Sequence, residues 1–185
     1  MARLPGLLTT DLCSLRSSED HLAFSVVWEM DPEANILSVD FFKSAIRSKA
    51  SLTYEQAQNM LDNPGSDEIS VSVNRLNHIA RIFRQRRIDA GALTLASPEV
   101  KFTLDQESSN PTDVGMYQLR ESNALVEEFM LLANITVAKK ILKHFPTLSV
   151  LRRHQPPSKD QFSSFVSAAA AVGVDIDITS SKACT

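Results

Sequence analysis

"LVEEFMLLANITVAKKILKHF", residues 125–145, has the residue spacing of a long amphipathic helix. At about 100° per residue, its apolar side chains form one arc and its lysines occupy the opposite side. Glu127 lies almost at the centre of that arc, whose apolar members are Met130, Leu131, Ile135, Ala138, Ile141, Leu142 and Phe145. We expect the arc to pack in the core and Glu128, which lies beside a lysine, to be at the surface. Glu127 therefore needs a separate explanation.

The composition is that of a soluble globular protein. The chain has 185 residues, of which 43% are hydrophobic and 22% are charged. This length suits one domain with a sizeable core. The net charge is −3 and the pI is about 5.8, so overall charge gives no attraction to nucleic acid or to an anionic membrane.

The cysteines and the apolar segments indicate a reducing compartment inside the cell. The two cysteines, Cys13 and Cys184, fit no disulfide framework and no zinc-binding spacing. No apolar run reaches the roughly 18 residues of a membrane span. The apolar part of "MARLPGLLTT" (residues 1–10) is too short for a secretory signal.

The N-terminal part predicts a β-hairpin. "LAFSVVWEM" (residues 22–30) and "ILSVDFFKSAI" (residues 36–46) are rich in β-branched and aromatic residues. They flank "DPEAN" (residues 31–35), a short connection whose proline and asparagine favour a turn. Trp28 then belongs to the sheet or the core.

Two helices are predicted next. Thr53 is a candidate N-cap for a helix that ends near Asn63, and a longer helix follows from about Val71 to Ala90. The outer face of the second helix carries four arginines: Arg81, Arg84, Arg86 and Arg87. They are either a solvated helix end favoured by the macrodipole or a patch that contacts phosphates.

The remainder alternates without regular βαβ order. Asn123 is a candidate N-cap of the helix at 125–145, and Ser158 and Gln161 have capping-box spacing. Three further segments have strand-like composition: residues 91–105 (interrupted at Ser97 and Pro98), 114–119 and 174–178. The sequence therefore predicts an α+β fold, with mixed or antiparallel strands packed against long helices.

Residue spacing alone identifies no active site. The chain has no glycine-rich phosphate loop, no nucleophile elbow and no metal-ligand spacing among its histidines and cysteines. Asp175 and Asp177 alternate on a predicted strand, which favours a solvated strand face over a metal site.

Six sequence blocks go further than the spacing does. They occur in this order: "TTDLCSL", "LAFSVVWEMD", "KSAIRSKASLTYEQAQ", "RRIDAGALTLASPEVKF", "LVEEFMLLANITVAKKI" and "VLRRHQPP". Together they resemble the catalytic (RNB) domain of the ribonuclease II superfamily, and within it the branch of the catalytic 3′→5′ exoribonuclease subunit of the eukaryotic exosome. The resemblance spans almost the whole chain.

The resemblance implies that residues 1–185 are the central fragment of an RNB domain. The family binds catalytic Mg²⁺ through an Asp-x-Asp-Asp cluster upstream of the first block, and an arginine in Ser-Pro-Ile-Arg-Arg-Tyr downstream contacts the reacting phosphate. Neither motif occurs here. We therefore expect no metal ligands within the chain and no activity of the chain alone. We also expect exposed apolar surface or self-association, because an incomplete domain leaves faces uncovered.

For a longer protein, the resemblance implies processive 3′→5′ hydrolysis of single-stranded RNA to nucleoside monophosphates, in RNA processing and decay. It implies Mg²⁺ as cofactor, RNA and exosome core subunits as partners, no membrane, and a location in nucleus and cytoplasm. The alternative is a stand-alone RNA-binding or assembly module that has lost catalysis.

The same resemblance implies roles for individual residues. Tyr54 matches the active-site tyrosine near the scissile phosphate, although a tyrosine at a helix start also commonly anchors the helix. Glu127 matches a residue that contacts the sugar of the 3′-terminal nucleotide, the alternative being a carboxylate bonded to a neighbouring strand or arginine. Arg47 and Leu95 are expected RNA contacts. Leu95 stands where bacterial members have a base-stacking phenylalanine, so its contact is apolar and looser.

Overall fold

The computed structural model describes residues 5–92, 100–104, 111–116, 120–152 and 158–179. A single π-helical turn, Leu7–Leu12, precedes the regular elements. These elements are β1 (Asp20–Met30), β2 (Ile36–Arg47), α1 (Tyr54–Asp62), α2 (Glu68–Asp89), β3 (Val100–Leu104), β4 (Pro111–Met116), α3 (Glu121–His144) and α4 (Lys159–Ala171). The chain forms two compact units: Met1–Phe83 with Arg120–Ala133, and Arg84–Leu119 with Asn134–Thr185.

The predicted α+β class is confirmed. Both described sheets are two-stranded and antiparallel, β1 with β2 and β3 with β4. The long helices are α2, with 22 residues, and α3, with 24 residues.

The β1–β2 hairpin of the first unit agrees with the sequence prediction to within two residues. Asp20 pairs with Arg47 at its open end, and Trp28 pairs with Val39 near the turn. The turn is held by Asp31, whose carboxylate accepts the backbone N–H and the side-chain amide of Asn35, each at 2.7 Å. Trp28 is half-buried in the sheet, as predicted.

Helix α1 begins where its cap predicts. The Thr53 hydroxyl accepts the N–H of Gln56 at 3.2 Å, and the Gln56 side chain accepts the N–H of Thr53 at 2.8 Å. This reciprocal pair satisfies two N–H groups that have no partner within the helix. Tyr54 is consequently fixed as the first residue of α1.

Helix α2 begins three residues earlier than predicted. Asp67 accepts the N–H groups of Ile69 and Ser70 at 3.1 and 3.0 Å, which caps the helix. Asn74 joins α2 to α1, because its amide donates to the Met60 carbonyl at 2.9 Å.

Helix α3 also begins earlier than predicted, at Glu121. Asn123 is therefore not the N-cap. It lies in the first turn, and its side chain accepts the N–H of Arg120 at 3.1 Å. Asn123 is the third residue of the helix, and its side chain bonds to the backbone N–H of the residue that precedes the helix. The spacing in the sequence does not distinguish this role from that of an N-cap.

The prediction of which face of α3 is buried was wrong. Within the described residues, the apolar arc around Glu127 is largely exposed, and Met130 and Ile135 are 55% and 52% exposed. The two fully buried residues of the helix, Ser122 and Glu128, lie on the opposite stripe, together with the half-buried Leu125, Phe129 and Leu132. Of the arc itself, Leu131 and Ala138 are half-buried. This stripe contacts α1 and α2 through polar side chains and through the edge-to-face pair Phe83–Phe129, whose ring centroids are 6.3 Å apart. Defined partners, rather than the widest apolar arc, decide the orientation of the helix.

The second unit contains the β3–β4 hairpin and α4. Val100 pairs with Met116 and Thr103 with Asp113. Strand β4 therefore begins three residues before the predicted 114–119 segment, whose last residues, 117–119, lie outside the described part of the chain. The predicted break at Ser97 and Pro98 lies outside it as well. The Gln161 side chain accepts the N–H of Ser158 at 2.9 Å, which is one half of the predicted capping box.

Residues 174–178 do not form a strand. The sequence alternates apolar and acidic residues there, which predicted a strand. The segment pairs with no other strand among the described residues. Asp177 instead accepts the N–H of Thr179 at 2.8 Å in a local turn.

Apolar side chains are widely exposed, as predicted for this chain. Among the residues whose side-chain burial is described (5–92, 120–152, 158 and 160–179), the only buried hydrophobic residues are Ala34 and Ala80. Leu22 is 87% exposed and Phe24 is 68% exposed on β1. In the described part of the chain, no helix combines the length and hydropathy that a bilayer span requires.

Candidate functional site

Tyr54 lies in the wall of an open, mainly apolar cavity of the first unit. The cavity has a volume of about 650 Å³. Its lining residues come from α1, α2, α3 and the segment before α1: Leu52, Thr53, Tyr54, Ala57, Val73, Leu76, Ser122, Leu125 and Val126. The Tyr54 side chain is 45% exposed, so its phenol is accessible to a ligand.

The start of α3 is hydrogen-bonded to α1 beside this cavity. The Ser122 hydroxyl donates to the carbonyl oxygen of Tyr54 at 2.8 Å, and the Ser122 N–H donates to the side-chain oxygen of Gln58 at 3.0 Å. Ser122 is 1% exposed. Its two bonds therefore connect the helix that carries Tyr54 to the helix that carries Glu127.

The neighbouring residue, Glu121, connects α3 to α2. Its carboxylate accepts from the buried amide of Asn77 at 3.1 Å and from the guanidinium of Arg81. The hydrogen bond from Arg81 and the nearby negative charge raise the pKa of Arg81 above its ordinary value. The arginines of α2 were expected either to be solvated or to contact phosphates. Arg81 instead forms an ion pair with Glu121.

Glu127 and Glu128 have opposite environments. Glu127 is exposed, one residue after Val126 in the cavity wall. Glu128 is only 4% exposed, so the prediction of a surface position for Glu128 was wrong. The orientation of α3 explains both results, because it places Glu128 on the buried stripe and leaves Glu127 on an exposed face.

A second cavity of about 790 Å³ adjoins the same part of the first unit. It shares Leu76, Leu125 and Val126 with the first cavity. Its other lining residues are Trp28, Met30, Ile79, Phe129 and Met130. The residue before Glu127 therefore borders two adjacent apolar spaces.

The two expected RNA contacts are not brought into the Tyr54 cavity. Arg47 lies at the open end of the β1–β2 hairpin, where its Nε and Nη2 donate to Asp20 at 2.7 and 2.9 Å. Both side chains are largely exposed. Leu95 lies outside the described residues.

The described residues do not fit a magnesium site. Nowhere in the described ranges do three His, Cys, Asp or Glu side chains converge. Asp177, one of the two aspartates considered from sequence, is hydrogen-bonded to Thr179. The bond from the Thr179 side chain, and after it the bond from the Thr179 N–H, lower the pKa of Asp177. Mg²⁺ is held through carboxylates in a near-octahedral arrangement, and the described side chains do not offer that set.

Sequence reasoning missed the residues that hold α1 and α3 together. Ser122 and Gln58 belong to no motif, and a serine in a first helical turn ordinarily indicates only a cap. The sequence offered one signal for this contact, namely the position of Ser122 on the side of α3 opposite the apolar arc.

The fold and the cavities describe the class of protein as α+β. An antiparallel hairpin and three helices border apolar cavities, and the accessible Tyr54 lies in the wall of one of them. The family model described as "RNB domain" matches residues 3–184. The chain belongs to the RNB domain family.

A curated relative gives a more specific similarity. The chain is 51% identical to the exosome complex exonuclease RRP44 homolog A of Arabidopsis thaliana over 181 residues, which is 97% of this chain and 19% of that protein. The chain thus spans about a fifth of the length of that relative.

Solved structures confirm the fold. The apo form of Mycoplasma genitalium RNase R superposes with a TM-score of 0.85 at 21% identity, covering 97% of this chain and 29% of that one. Yeast Ssd1, described as a pseudonuclease, superposes with a TM-score of 0.72 at 24% identity, covering 97% of this chain and 22% of that one. The fold is therefore shared with a protein named as an RNase and with one described as a pseudonuclease.

Proposed function

We propose that this chain is the central part of the catalytic domain of a longer, processive 3′→5′ exoribonuclease that hydrolyses single-stranded RNA to nucleoside monophosphates. The observation that carries the proposal is 51% identity, over 97% of the chain, with a protein named an exosome complex exonuclease. RNA processing and decay, in nucleus and cytoplasm, is the corresponding role, and exosome core subunits are the corresponding partners.

Tyr54 and Glu127 are the proposed catalytic-site residues of the chain. The exposed phenol of Tyr54 donates a hydrogen bond to a phosphate oxygen at the scissile position, where charge develops during hydrolysis. The carboxylate of Glu127 accepts a hydrogen bond from the 2′-hydroxyl of the terminal ribose, which DNA lacks. The accessibility of both side chains supports these roles.

Arg47 and Leu95 are proposed RNA contacts outside the Tyr54 cavity. A guanidinium has five N–H donors, so the pairing of Arg47 with Asp20 does not prevent a phosphate contact. Leu95 contributes apolar contact to a base without the stacking of an aromatic ring.

Magnesium belongs to the longer protein in this proposal, and its ligands lie outside this chain. When bound there, it polarises the phosphate and activates water. The residues of this chain bind and orient the RNA end, and the chain alone does not hydrolyse RNA. An acidic chain with dispersed arginines also offers few converging phosphate contacts, so its RNA affinity alone is low.

The test compares the 185-residue chain with the longer protein that contains it. Each is incubated with single-stranded RNA, 5′-labelled in one sample and uniformly labelled in another, and with Mg²⁺, with and without chelator, and products are separated by size. With the longer protein only, we expect shortening of the 5′-labelled RNA from its 3′ end and release of mononucleotides from the uniformly labelled RNA, both abolished by chelator. Chelator-sensitive release by the short chain would contradict its inactivity, and an inactive longer protein would contradict the enzymatic proposal.

The second candidate function is a stand-alone RNA-binding or assembly module. One specific observation favours it, namely the match to the fold of Ssd1, which is described as a pseudonuclease. Fold alone does not establish activity. The same experiment separates the candidates, because a binding module leaves the RNA at its full length.

A further inference from the structure

Ser122 is buried at the start of α3, yet both of its polar groups bond to α1. Its N–H is among the first four of the helix, which have no partner within the helix. Gln58 of α1 supplies that partner at 3.0 Å, and the Ser122 hydroxyl donates to the Tyr54 carbonyl at 2.8 Å. The end of one helix is thereby attached to the first turn of the other.

This attachment connects the two proposed catalytic-site residues through a short stretch of the structure. Tyr54 is the residue that receives the Ser122 bond, and Glu127 lies five positions after Ser122 on the same helix. Five helical residues span about 7.5 Å along the axis. The two bonds of Ser122 therefore set the position of the first turn of α1 relative to α3. The continuous backbone of α3 then leads from Ser122 to Glu127.

We propose that Ser122 is a positioning residue that holds the Tyr54 phenol in register with Glu127 at the RNA 3′ end. The inference rests on the proposed function and adds to it a residue that touches neither RNA nor metal. Its physical basis is that catalytic efficiency falls steeply when a reacting group is displaced by about 1 Å. Without the Ser122 hydroxyl, the first turn of α1 has no side-chain bond to α3 at Tyr54 itself.

A purely structural role would have different consequences, and Ser70 provides the matched control. Ser70 is buried to a similar extent, at 2% exposure, and its hydroxyl accepts the N–H of Gly65 at 2.8 Å. The Ser70 hydroxyl therefore has the same chemistry and burial without a bond to Tyr54. If only stability matters, Ser122→Ala and Ser70→Ala behave alike.

The experiment uses the longer protein and steady-state kinetics on single-stranded RNA, with melting measured in parallel. We expect Ser122→Ala to lower kcat about tenfold, with KM within about twofold because ground-state binding is retained. We expect Ser70→Ala to lower the melting temperature without that loss of kcat. Gln58→Met removes the acceptor for the Ser122 N–H, so it reports on the same link if Ser122→Ala folds poorly.

A double-mutant cycle tests whether Ser122 acts through Tyr54. In a Tyr54→Phe background the phenolic donor is already absent, so adding Ser122→Ala should lower kcat no further. Additive losses would overturn the inference, as would full kcat in both Ser122→Ala and Gln58→Met, or equal kcat losses in Ser122→Ala and Ser70→Ala. A wild-type protein without nuclease activity would overturn the proposed function and this inference with it. An active wild type makes the variants a test of the inference alone.

Discussion

The two ends of α3 differ in their buried polar residues although they belong to one helix. In residues 120–133, Ser122 and Glu128 are buried and the first turn bonds to α1 and α2. In residues 134–144, Ile135 is 52% exposed and Leu142 is 45% exposed. The His144 ring bonds only locally there, to the Lys140 carbonyl at 2.8 Å. Buried polar side chains thus occur at one end only, whereas exposed apolar side chains occur at both, since Val126 and Met130 are 45% and 55% exposed.

The difference shows that matched partners, rather than hydrophobicity alone, determine the burial of α3. A buried polar group is tolerated when its hydrogen bonds are made. Ser122 has two such bonds, and they orient the whole first half of the helix. An apolar side chain has no directional preference, so it stays exposed where no surface of the described residues faces it.

The largest expected effect concerns Glu128, the buried carboxylate. Glu128→Lys places an ammonium group at a position with 4% exposure and should destabilise the chain by about 3–5 kcal/mol. Equilibrium denaturation in urea measures this loss. The control is Glu127→Lys, the same change at the exposed neighbour, for which we expect at most about 1 kcal/mol. Equal losses would mean that the two glutamates do not differ in environment.

The second effect concerns function at Glu127. In the longer protein, Glu127→Ala should leave stability nearly unchanged and reduce discrimination against a 2′-deoxy 3′ end. The expected loss is that of one charge-assisted hydrogen bond, about 1.5–3 kcal/mol, or roughly 10- to 150-fold. The measurement is the ratio of kcat/KM for RNA and for the same RNA with a deoxy terminus. Unchanged selectivity would refute the ribose contact and favour a structural partner for Glu127.

Local signals in the sequence predicted most of the fold. The cap at Thr53 and the turn at residues 31–35 were predicted from neighbouring residues, and the structure contains both. The strand at 174–178 was predicted from alternation alone. Alternation identifies which side chains share a face, but a strand also needs a pairing neighbour, and a single segment contains no information about that neighbour.

The candidate site was less predictable for a related reason. Ser122 and Tyr54 are far apart in the sequence, so their bond depends on how α1 and α3 meet. The orientation of α3 was mispredicted because its widest apolar arc was taken as its buried face. That assumption fails where polar side chains such as Glu121 fix the helix through partners on another element.

A smaller effect concerns the ion pair that fixes α3 to α2. The Arg81 and Glu121 side chains are 67% and 32% exposed, so the solvent screens their attraction. A double-mutant cycle with Arg81→Ala and Glu121→Ala should give a coupling of about 0.2–1 kcal/mol, decreasing as salt is raised. Because Glu121 also accepts from Asn77, the single Glu121→Ala change should cost more than Arg81→Ala. A coupling that is insensitive to salt would contradict the screening argument.

The smallest effect on stability is expected at the exposed apolar arc in the second half of α3. Ile135→Ser should change the free energy of unfolding by no more than about 0.5 kcal/mol, because the side chain loses little contact. We propose that this arc instead drives self-association of the chain, since exposed apolar patches favour contact between molecules. Sedimentation velocity across a concentration series should then show association of the wild type, weakened in the double variant Ile135→Ser, Leu142→Ser. The control is a double change on the lysine face of the same helix, Lys139→Ser with Lys143→Ser, which preserves the apolar arc. A wild type that stays monomeric at all concentrations, or equal association in both double variants, would refute a role for the arc.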